Sequence, residues 1–257
     1  YTLLSLSYSD IFMSYTMYDF AIIGAGAAGL QLALAMCEDD FFNEKKVLIL
    51  EKEDKNTNDR TWCFWETGPG KWDTILKHTW NRGVVFTPKD EIELEMGEYS
   101  YKMLRGLDFY TYAKEKLHAA SNVHWQKDEV KELTEEGGVV NITGLGGSYL
   151  AEKVFDSRIP NDFFKAEDNY SRVLQHFKGW FIKTEEDVFD KDRFTMMDFR
   201  LSTGEDTSFA YVLPFSKRTA LVEITFFTPR LEEQDIYLKR LEEYIEKIVK
   251  PGKYTVE

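Results

Sequence analysis

A glycine-rich turn joins an apolar strand to a helix near the start of the chain, and few folds accommodate such a turn. Its pattern is Gly24-x-Gly26-x-x-Gly29, with a short apolar run at 18–23 before it and apolar residues at helical spacing after it. The first glycine permits a tight turn, the second lets the backbone approach a pyrophosphate, and the third allows close packing of helix on strand. The helix N-terminus then offers unpaired N–H groups to an anion. The turn therefore predicts a dinucleotide site formed by Gly24, Ala25, Gly26, Ala28 and Gly29.

A second strand completes this unit and ends in an acid. The run 46–50 is almost wholly apolar, as in the buried strands of parallel sheets, and Glu51 follows it. A carboxylate at the end of the second strand can accept a hydrogen bond from a ribose hydroxyl, whereas it disfavours a 2′-phosphate. The glycines of a purely structural turn would need no such acid. Glu51 therefore favours FAD or NAD over NADP as the ligand.

The order of the predicted elements indicates an α/β fold with two interleaved domains. Strand, helix and strand in succession predict parallel strands joined by a right-handed crossover, and later alternation of polar and apolar residues predicts an antiparallel sheet. We expect a Rossmann-like βαβ domain that binds FAD or NAD(P) over 17–72 and 105–160. We expect an antiparallel β-sheet substrate domain over 73–104 and 161–257. Residues 1–16 are expected to be a disordered tail or sequence translated from upstream of the start codon.

Within the second domain, the apolar pattern predicts four antiparallel strands and a closing helix. The helix is expected at 230–249, with Thr228 as its N-cap and Pro229 in its first turn. The strands are expected at 173–183, 193–200, 208–214 and 219–227.

Composition disfavours several classes of protein. The 257 residues are 43% hydrophobic and 15% aromatic, which is ample for a folded core. The formal net charge of −13 repels phosphate backbones, so we expect no nucleic-acid partner. The two cysteines form no framework, which is typical of the reducing cytoplasm, and no apolar run is long enough to span a bilayer. No histidine has partners at metal-ligand spacing, and we expect no metal.

An aromatic segment at 58–66 is the most distinctive stretch of the chain, with Trp62, Phe64 and Trp65 in close succession. Such a cluster can plug a hydrophobic core under a long loop, or it can line the site of a large apolar ligand. In the second case Arg60 would lie near the phosphates of the cofactor. Periodicity does not separate the two interpretations.

Segment 59–65 resembles a signature of the carotenoid lycopene β-cyclases, in which it follows the second strand of the nucleotide domain. Further segments resemble the same family in the same order, and together they cover about residues 17–257: 105–110, 154–158, 175–180, 197–199, 211–216 and 220–225. The resemblance implies a flavin-monooxygenase-like fold that uses FAD in its reduced form, with NAD(P)H as a source of electrons. It also implies Arg105 as a further cofactor contact, and a natural chain that continues beyond Glu257.

Members of this family are expected to catalyse an isomerisation rather than an oxidation. An acid protonates a terminal double bond of linear lycopene, an internal double bond closes a ring on the resulting cation, and a proton then leaves. The resemblance implies that Glu223 is this acid, because it matches the acidic position of segment 220–225. By strand alternation, Glu223 shares a face with Leu221 and Thr225, and the alternative is a carboxylate on a solvated face. Asp198 is a second candidate carboxyl, with a structural role as its alternative.

The implied function is the conversion of lycopene to β-carotene. A hydrocarbon of this length resides in membranes, so the implied protein is cytoplasmic and contacts a membrane surface peripherally. Two alternatives stay open on the sequence: an FAD-dependent monooxygenase or oxidoreductase acting on a hydrophobic substrate, and a non-catalytic module that carries a lipid. A redox enzyme would consume NAD(P)H and oxygen, whereas the product of a cyclase has the mass of its substrate.

Overall fold

The computed structural model describes residues 16–160, 163, 173–201 and 207–257, and the chain divides into two compact units. The first unit is formed by the residues up to Asp59 and from Leu107 onward to 163, and the second by Arg60–Gly106 and the described residues from 173 onward. The predicted tail at 1–16 lies outside the described residues, apart from Thr16. In chain order the strands and helices are β1 (Met17–Ile23), α1 (Ala27–Cys37), β2 (Val47–Glu51), β3 (Thr61–Thr67), β4 (His78–Trp80), β5 (Arg82–Phe86), β6 (Glu91–Glu93), β7 (Tyr99–Arg105), α2 (Gly106–His118), β8 (Val123–Lys127), β9 (Val130–Glu136), β10 (Val139–Gly144), β11 (Ser148–Asp156), β12 (Leu174–Thr184), β13 (Arg193–Asp198), β14 (Thr207–Pro214), β15 (Thr219–Thr228), α3 (Gln234–Tyr244) and β16 (Tyr254–Val256).

The first unit contains a six-stranded sheet in the order β8-β2-β1-β11-β10-β9. Strands β8, β2, β1 and β11 are parallel, and β10 and β9 extend the sheet as antiparallel strands. Every residue of β2 is buried, which explains its unbroken apolar sequence. Helix α1 connects β1 to β2 and buries one side, which includes Leu30 and Leu34. The predicted βαβ unit and the mixed α/β class are confirmed.

The second unit contains a large sheet of seven strands, in the order β16-β12-β15-β14-β13-β5-β6, and a small sheet of three, β3-β7-β4. Apart from the parallel pair β13 and β5, neighbouring strands in these sheets are antiparallel. Strand β15 alternates between two environments. Val222, Ile224 and Phe226 pack in a cluster with α3, whereas Leu221 packs in a cluster with residues of the small sheet. One face of the large sheet is therefore covered by α3 and the other by the small sheet.

Aromatic side chains fix the small sheet to the large one. The indole N–H of Trp80, on β4, donates to the carbonyl of Pro214 at 2.9 Å, and Trp80 is fully buried. The ring of Tyr101, on β7, stacks on Phe194 of β13 with 4.5 Å between the ring centroids. These contacts bury large aromatic surfaces and give the indole N–H a hydrogen-bond acceptor, so the two sheets pack closely on each other.

The structure differs from the sequence-based expectations at two places. The aromatic segment forms strand β3, which pairs with β7 along its length, and residues 60–72 therefore lie in the second unit rather than in the first, as do Arg105 and Gly106. The closing helix begins at Gln234 instead of 230. Thr228 does not cap it, since this residue ends β15 and its hydroxyl donates to the carbonyl of Arg230.

Candidate functional site

Two glycines of the glycine-rich turn are required by the fold of the first unit. Gly24 has a φ angle of +98°, a region that residues with side chains rarely occupy. A Cβ atom at this position would also lie 2.1 Å from Ser157 Oγ. A Cβ atom on Gly29 would lie 2.1 Å from the carbonyl oxygen of Gly24, so the helix packs directly on the turn.

The remaining glycine of the turn, Gly26, is next to open space instead. A Cβ atom built there meets no atom of the surrounding protein within 4 Å. Gly26 is also the N-cap of α1, and in the described part of the chain no side chain caps this helix. The first N–H groups of α1 are thus available to an anion, and the missing side chain lets the anion approach them. The turn fits a pyrophosphate; of the two alanines predicted to take part, Ala28 is exposed and Ala25 is buried.

Glu51 lies at the C-terminal end of β2, and its buried carboxylate holds the glycine turn in place. Oε2 accepts a hydrogen bond from the N–H of Ala25 at 2.6 Å, and Oε1 accepts one from the N–H of Glu53 at 2.9 Å. Each carboxylate oxygen keeps a second lone pair, which leaves capacity for a ribose hydroxyl. The sequence pointed to the ribose contact, and the structure adds the contact with the turn.

The two arginines predicted as cofactor contacts, Arg60 and Arg105, belong to the second unit. They are neighbours at one end of the small sheet, where Thr61 pairs with Arg105 and the N–H of Gly106 donates to the carbonyl of Arg60. Arg60 is exposed and Arg105 is half-buried. Their contacts with a cofactor stay predictions.

Glu223 lies on a central strand of the large sheet, on the face that the small sheet covers. It pairs with Gly179 on β12 and with Tyr211 on β14. Leu221, two residues earlier on the same face, belongs to the buried cluster under the small sheet, whereas Val222 packs in the cluster with α3. The side chain of Glu223 is half-buried. It does not lie on an open, solvated face of the sheet.

The surroundings of Glu223 favour its neutral form. Burial raises the pKa of Glu223 to about 7, and a hydrogen bond from Thr225 opposes this rise only in part. The Thr225 hydroxyl donates to Oε1 at 3.2 Å, and among the described residues no other group donates to this carboxyl. The other oxygen, Oε2, has no hydrogen-bond partner among the described residues. A neutral carboxylic acid in an apolar setting is a suitable general acid.

Three polar side chains beside Glu223 are not identified by any local sequence pattern. The hydroxyl oxygens of Tyr101 and Tyr211 lie 2.8 Å apart, and both hydroxyls are within hydrogen-bonding distance of the Cys63 thiol. Burial raises the pKa of Cys63 to about 11 and also raises the pKa of each tyrosine. All three groups are therefore neutral at pH 7. They line the site with polar atoms that carry no charge.

Asp198 lies on the opposite face of the large sheet. It pairs with Ala210, which belongs to the cluster packed on α3. Its fully buried carboxylate forms an ion pair with Arg200 and accepts a hydrogen bond from the Tyr244 hydroxyl at 2.7 Å. These contacts anchor α3 to the sheet. The structure does not bring Asp198 together with Glu223, and we assign Asp198 a structural role.

His176 also has structural contacts. Its Nε2 lies 2.7 Å from the Thr228 hydroxyl oxygen, and its Nδ1 lies 2.5 Å from the Tyr237 hydroxyl oxygen. Because the Thr228 hydroxyl donates to the carbonyl of Arg230, Nε2 donates to Thr228 and Nδ1 accepts from Tyr237. Within residues 16–160, 163, 173–201 and 207–257, no group of three His, Cys, Asp or Glu side chains is placed to hold a metal ion.

Solved structures share the fold of this chain at low sequence identity. A geranylgeranyl bacteriochlorophyll reductase-like protein from Thermoplasma acidophilum has a TM-score of 0.68 and 14% identity, with 94% of this chain and 64% of that chain covered. A flavoprotein/dehydrogenase from Cytophaga hutchinsonii has a TM-score of 0.63 and 17% identity, with 94% and 64% covered. A flavin-dependent brominase has a TM-score of 0.59 and 16% identity, with 94% and 65% covered. These similarities establish the fold, and the chain spans less than two thirds of each of the three proteins.

A family comparison is more specific. No curated protein matches the chain. The family described as lycopene cyclase protein matches residues 19–257, a range that includes the glycine turn, Glu51 and Glu223. Because this match extends over nearly the whole sequence, the protein belongs to the lycopene cyclase family.

Proposed function

We propose that this protein is a flavin-dependent lycopene cyclase that converts the linear ends of lycopene into β-ionone rings and so forms β-carotene. The observation that carries the proposal is the position of Glu223, whose half-buried carboxyl group lies on the face of the large sheet that the small sheet covers. Its pKa is raised to about 7 by burial, and Oε2 is free of protein partners among the described residues. Membership of the lycopene cyclase family supports the substrate.

In the proposed reaction, Glu223 Oε2–H donates its proton to the terminal double bond of a linear end. The resulting carbocation is attacked by an internal double bond, which closes a six-membered ring. The Glu223 carboxylate formed in the first step then accepts a proton from the ring, which restores a double bond in the ring and the acid form of Glu223. No electron is transferred overall. The Thr225 hydroxyl donates to Oε1, which leaves Oε2 available to carry the acidic proton.

The neutral groups around Glu223 suit a cationic intermediate. Tyr211 on β14 pairs with Glu223 on the neighbouring strand β15. The Tyr101 hydroxyl forms a hydrogen bond with the Tyr211 hydroxyl, which holds the ring of Tyr101 in place. Aromatic faces attract cations, and tyrosine hydroxyls that remain protonated do not react with a cation as a phenolate would. The Cys63 thiol also stays protonated, because burial raises its pKa to about 11.

The glycine turn, Glu51 and the N-terminus of α1 would hold FAD, and Arg60 and Arg105 are proposed as further contacts. When bound in its reduced form, with NAD(P)H as the electron source, the flavin supplies electron-rich surroundings that stabilise cationic character. The residues of this chain have separate tasks in that arrangement. Those of the first unit bind and orient the dinucleotide, and Glu223 moves the proton.

We also propose that the protein works at the cytoplasmic surface of a membrane, because its substrate is a long hydrocarbon. Each helix within the described parts of the chain is too short or too polar to cross a bilayer. Exposed apolar side chains in the second unit, such as Trp65 and Tyr99, would suit contact with lipid.

A mass measurement separates this proposal from a flavin monooxygenase acting on the same substrate. The protein, loaded with reduced flavin, is incubated with lycopene in the absence of oxygen, and substrate and product are compared by mass spectrometry. A cyclase yields β-carotene, which has the same mass as lycopene. A product that forms only with oxygen, or that contains an added oxygen atom, would favour the monooxygenase instead.

A further inference from the structure

An apolar groove opens in the second unit beside the small sheet. It has a volume of about 530 Å³, within the range that is typical of ligand pockets. One charged residue lies among its lining, and this residue, Glu95, is exposed at the edge. The other lining residues are apolar or aromatic: Trp65, Leu94, Met96, Tyr99 and Met196. Such a lining offers dispersion contacts and few hydrogen bonds, which suits a hydrocarbon better than a polar ligand.

Two packed side chains, Met196 and Tyr211, link the lining of the groove to the surroundings of Glu223. Met196 lies between Thr195 and Asp198 in the irregular part of β13, across from Tyr211 on β14, and it packs against the same buried cluster as Tyr211. Tyr211 in turn pairs with Glu223 on β15. The groove therefore begins two strands away from the acid, a distance of about 10 Å at the usual spacing between strands.

A second link runs through the small sheet. Trp65, which lines the groove, lies 4.6 Å from Tyr101 between ring centroids. The Tyr101 hydroxyl reaches Tyr211 at 2.8 Å. The same aromatic wall thus borders both the groove and the acid site.

We propose that this groove, lined by Trp65, Leu94, Met96, Tyr99 and Met196, binds the extended polyene chain of lycopene while the reacting end lies at Glu223. This inference rests on the proposed function and adds a substrate-binding site to it. Aromatic and thioether side chains contact an extended π system through their faces and their polarisable sulfur atoms.

The test measures binding separately from turnover. Every variant carries Glu223→Gln, and the intact protein loaded with flavin is titrated with lycopene in phosphatidylcholine vesicles. Met196→Trp fills the groove from the side of the large sheet. Tyr99→Ala removes an aromatic side chain from the wall of the groove. Because Tyr99 is 54% exposed, this second variant is expected to fold even if the first does not. Leu231→Trp is the matched control, because Leu231 is 66% exposed and lies outside the groove.

We expect both groove variants to bind lycopene at least about tenfold more weakly than the Glu223→Gln parent, in line with the loss of a large aromatic contact or of the space itself. The control should bind within about twofold of the parent, as is usual for an exposed substitution. Parent-like binding by Tyr99→Ala and by a folded Met196→Trp would overturn the groove while leaving the cyclase proposal intact. If the parent itself bound no lycopene, the groove and the proposed substrate would both be rejected.

Discussion

Glu223→Gln is expected to lower the rate of lycopene cyclisation by about 10²- to 10⁴-fold, the usual contribution of a positioned general acid. Glutamine has the same shape and can still accept the Thr225 hydrogen bond at the position of Oε1. It has no acidic proton to donate. Production of β-carotene from lycopene, measured with purified protein or in a lycopene-accumulating host, reports the loss directly.

The matched control for this change is Glu152→Gln, which replaces an exposed strand carboxylate in the first unit. It should retain the parent rate. Flavin content and thermal unfolding of both variants should remain close to those of the parent, since neither side chain touches the glycine turn. A Glu223→Gln variant with unchanged β-carotene output would remove this carboxyl from the mechanism.

The pH dependence of the reaction follows from the same group. Burial raises the pKa of Glu223 to about 7, so the acid form that donates the proton predominates below that pH and is lost above it. The rate of the chemical step should therefore fall as the pH rises through about 7. The stability of the folded protein depends on pH in the same direction, because the folded state favours the neutral carboxyl. The contribution of Glu223 to stability is fully present below the ordinary glutamate pKa, and it decreases as the pH rises through the raised pKa. Glu223→Gln should abolish that decrease.

Gly29→Ala is expected to destabilise the first unit by about 1–3 kcal/mol and to reduce flavin binding with it. The added methyl group would lie 2.1 Å from the carbonyl oxygen of Gly24, and backbone atoms cannot give way as a flexible side chain would. Helix α1 must therefore move away from the turn. Thermal unfolding and bound flavin, measured on the same samples, give both effects.

Gly26→Ala distinguishes the role of this turn in ligand binding from its role in folding. A methyl group there meets no protein atom within 4 Å, so its effect on stability should stay within about 1 kcal/mol, mostly from replacing glycine at a helix N-cap. It would occupy the space proposed for the pyrophosphate. We expect flavin affinity to fall at least about tenfold, equivalent to about 1.4 kcal/mol. Parent-like flavin affinity in this variant would contradict the proposed place of the phosphates.

Local patterns were sufficient to predict the βαβ part of the first unit and the face of Glu223. The glycine turn, the two apolar strands and Glu51 lie within a short stretch of chain, and each is specified by its own sequence. Alternation along β15 likewise places Glu223 and Leu221 on one face without any knowledge of neighbouring strands. These features depend on residues that are close in sequence, which is why the sequence reveals them.

Features that depend on distant pairing were not predictable. Cys63, Tyr101 and Tyr211 come from three separate strands, and only the pairing of β3 with β7 and the packing of the small sheet bring them beside Glu223. Asp198 shows the effect of a single irregularity. The register of β13 against β14 shifts between Thr195 and Asp198, and this shift turns the Asp198 carboxylate to the face that packs on α3.

Deuterium incorporation tests the proton transfer most directly. The protein is equilibrated in D₂O, loaded with reduced flavin and supplied with unlabelled lycopene in the absence of oxygen. If an exchangeable carboxyl such as Glu223 donates the proton that starts ring closure, the β-carotene formed should contain one deuterium for each ring closed. β-Carotene without deuterium, or a product that appears only when oxygen is admitted, would contradict the proposed role of Glu223 as a proton donor.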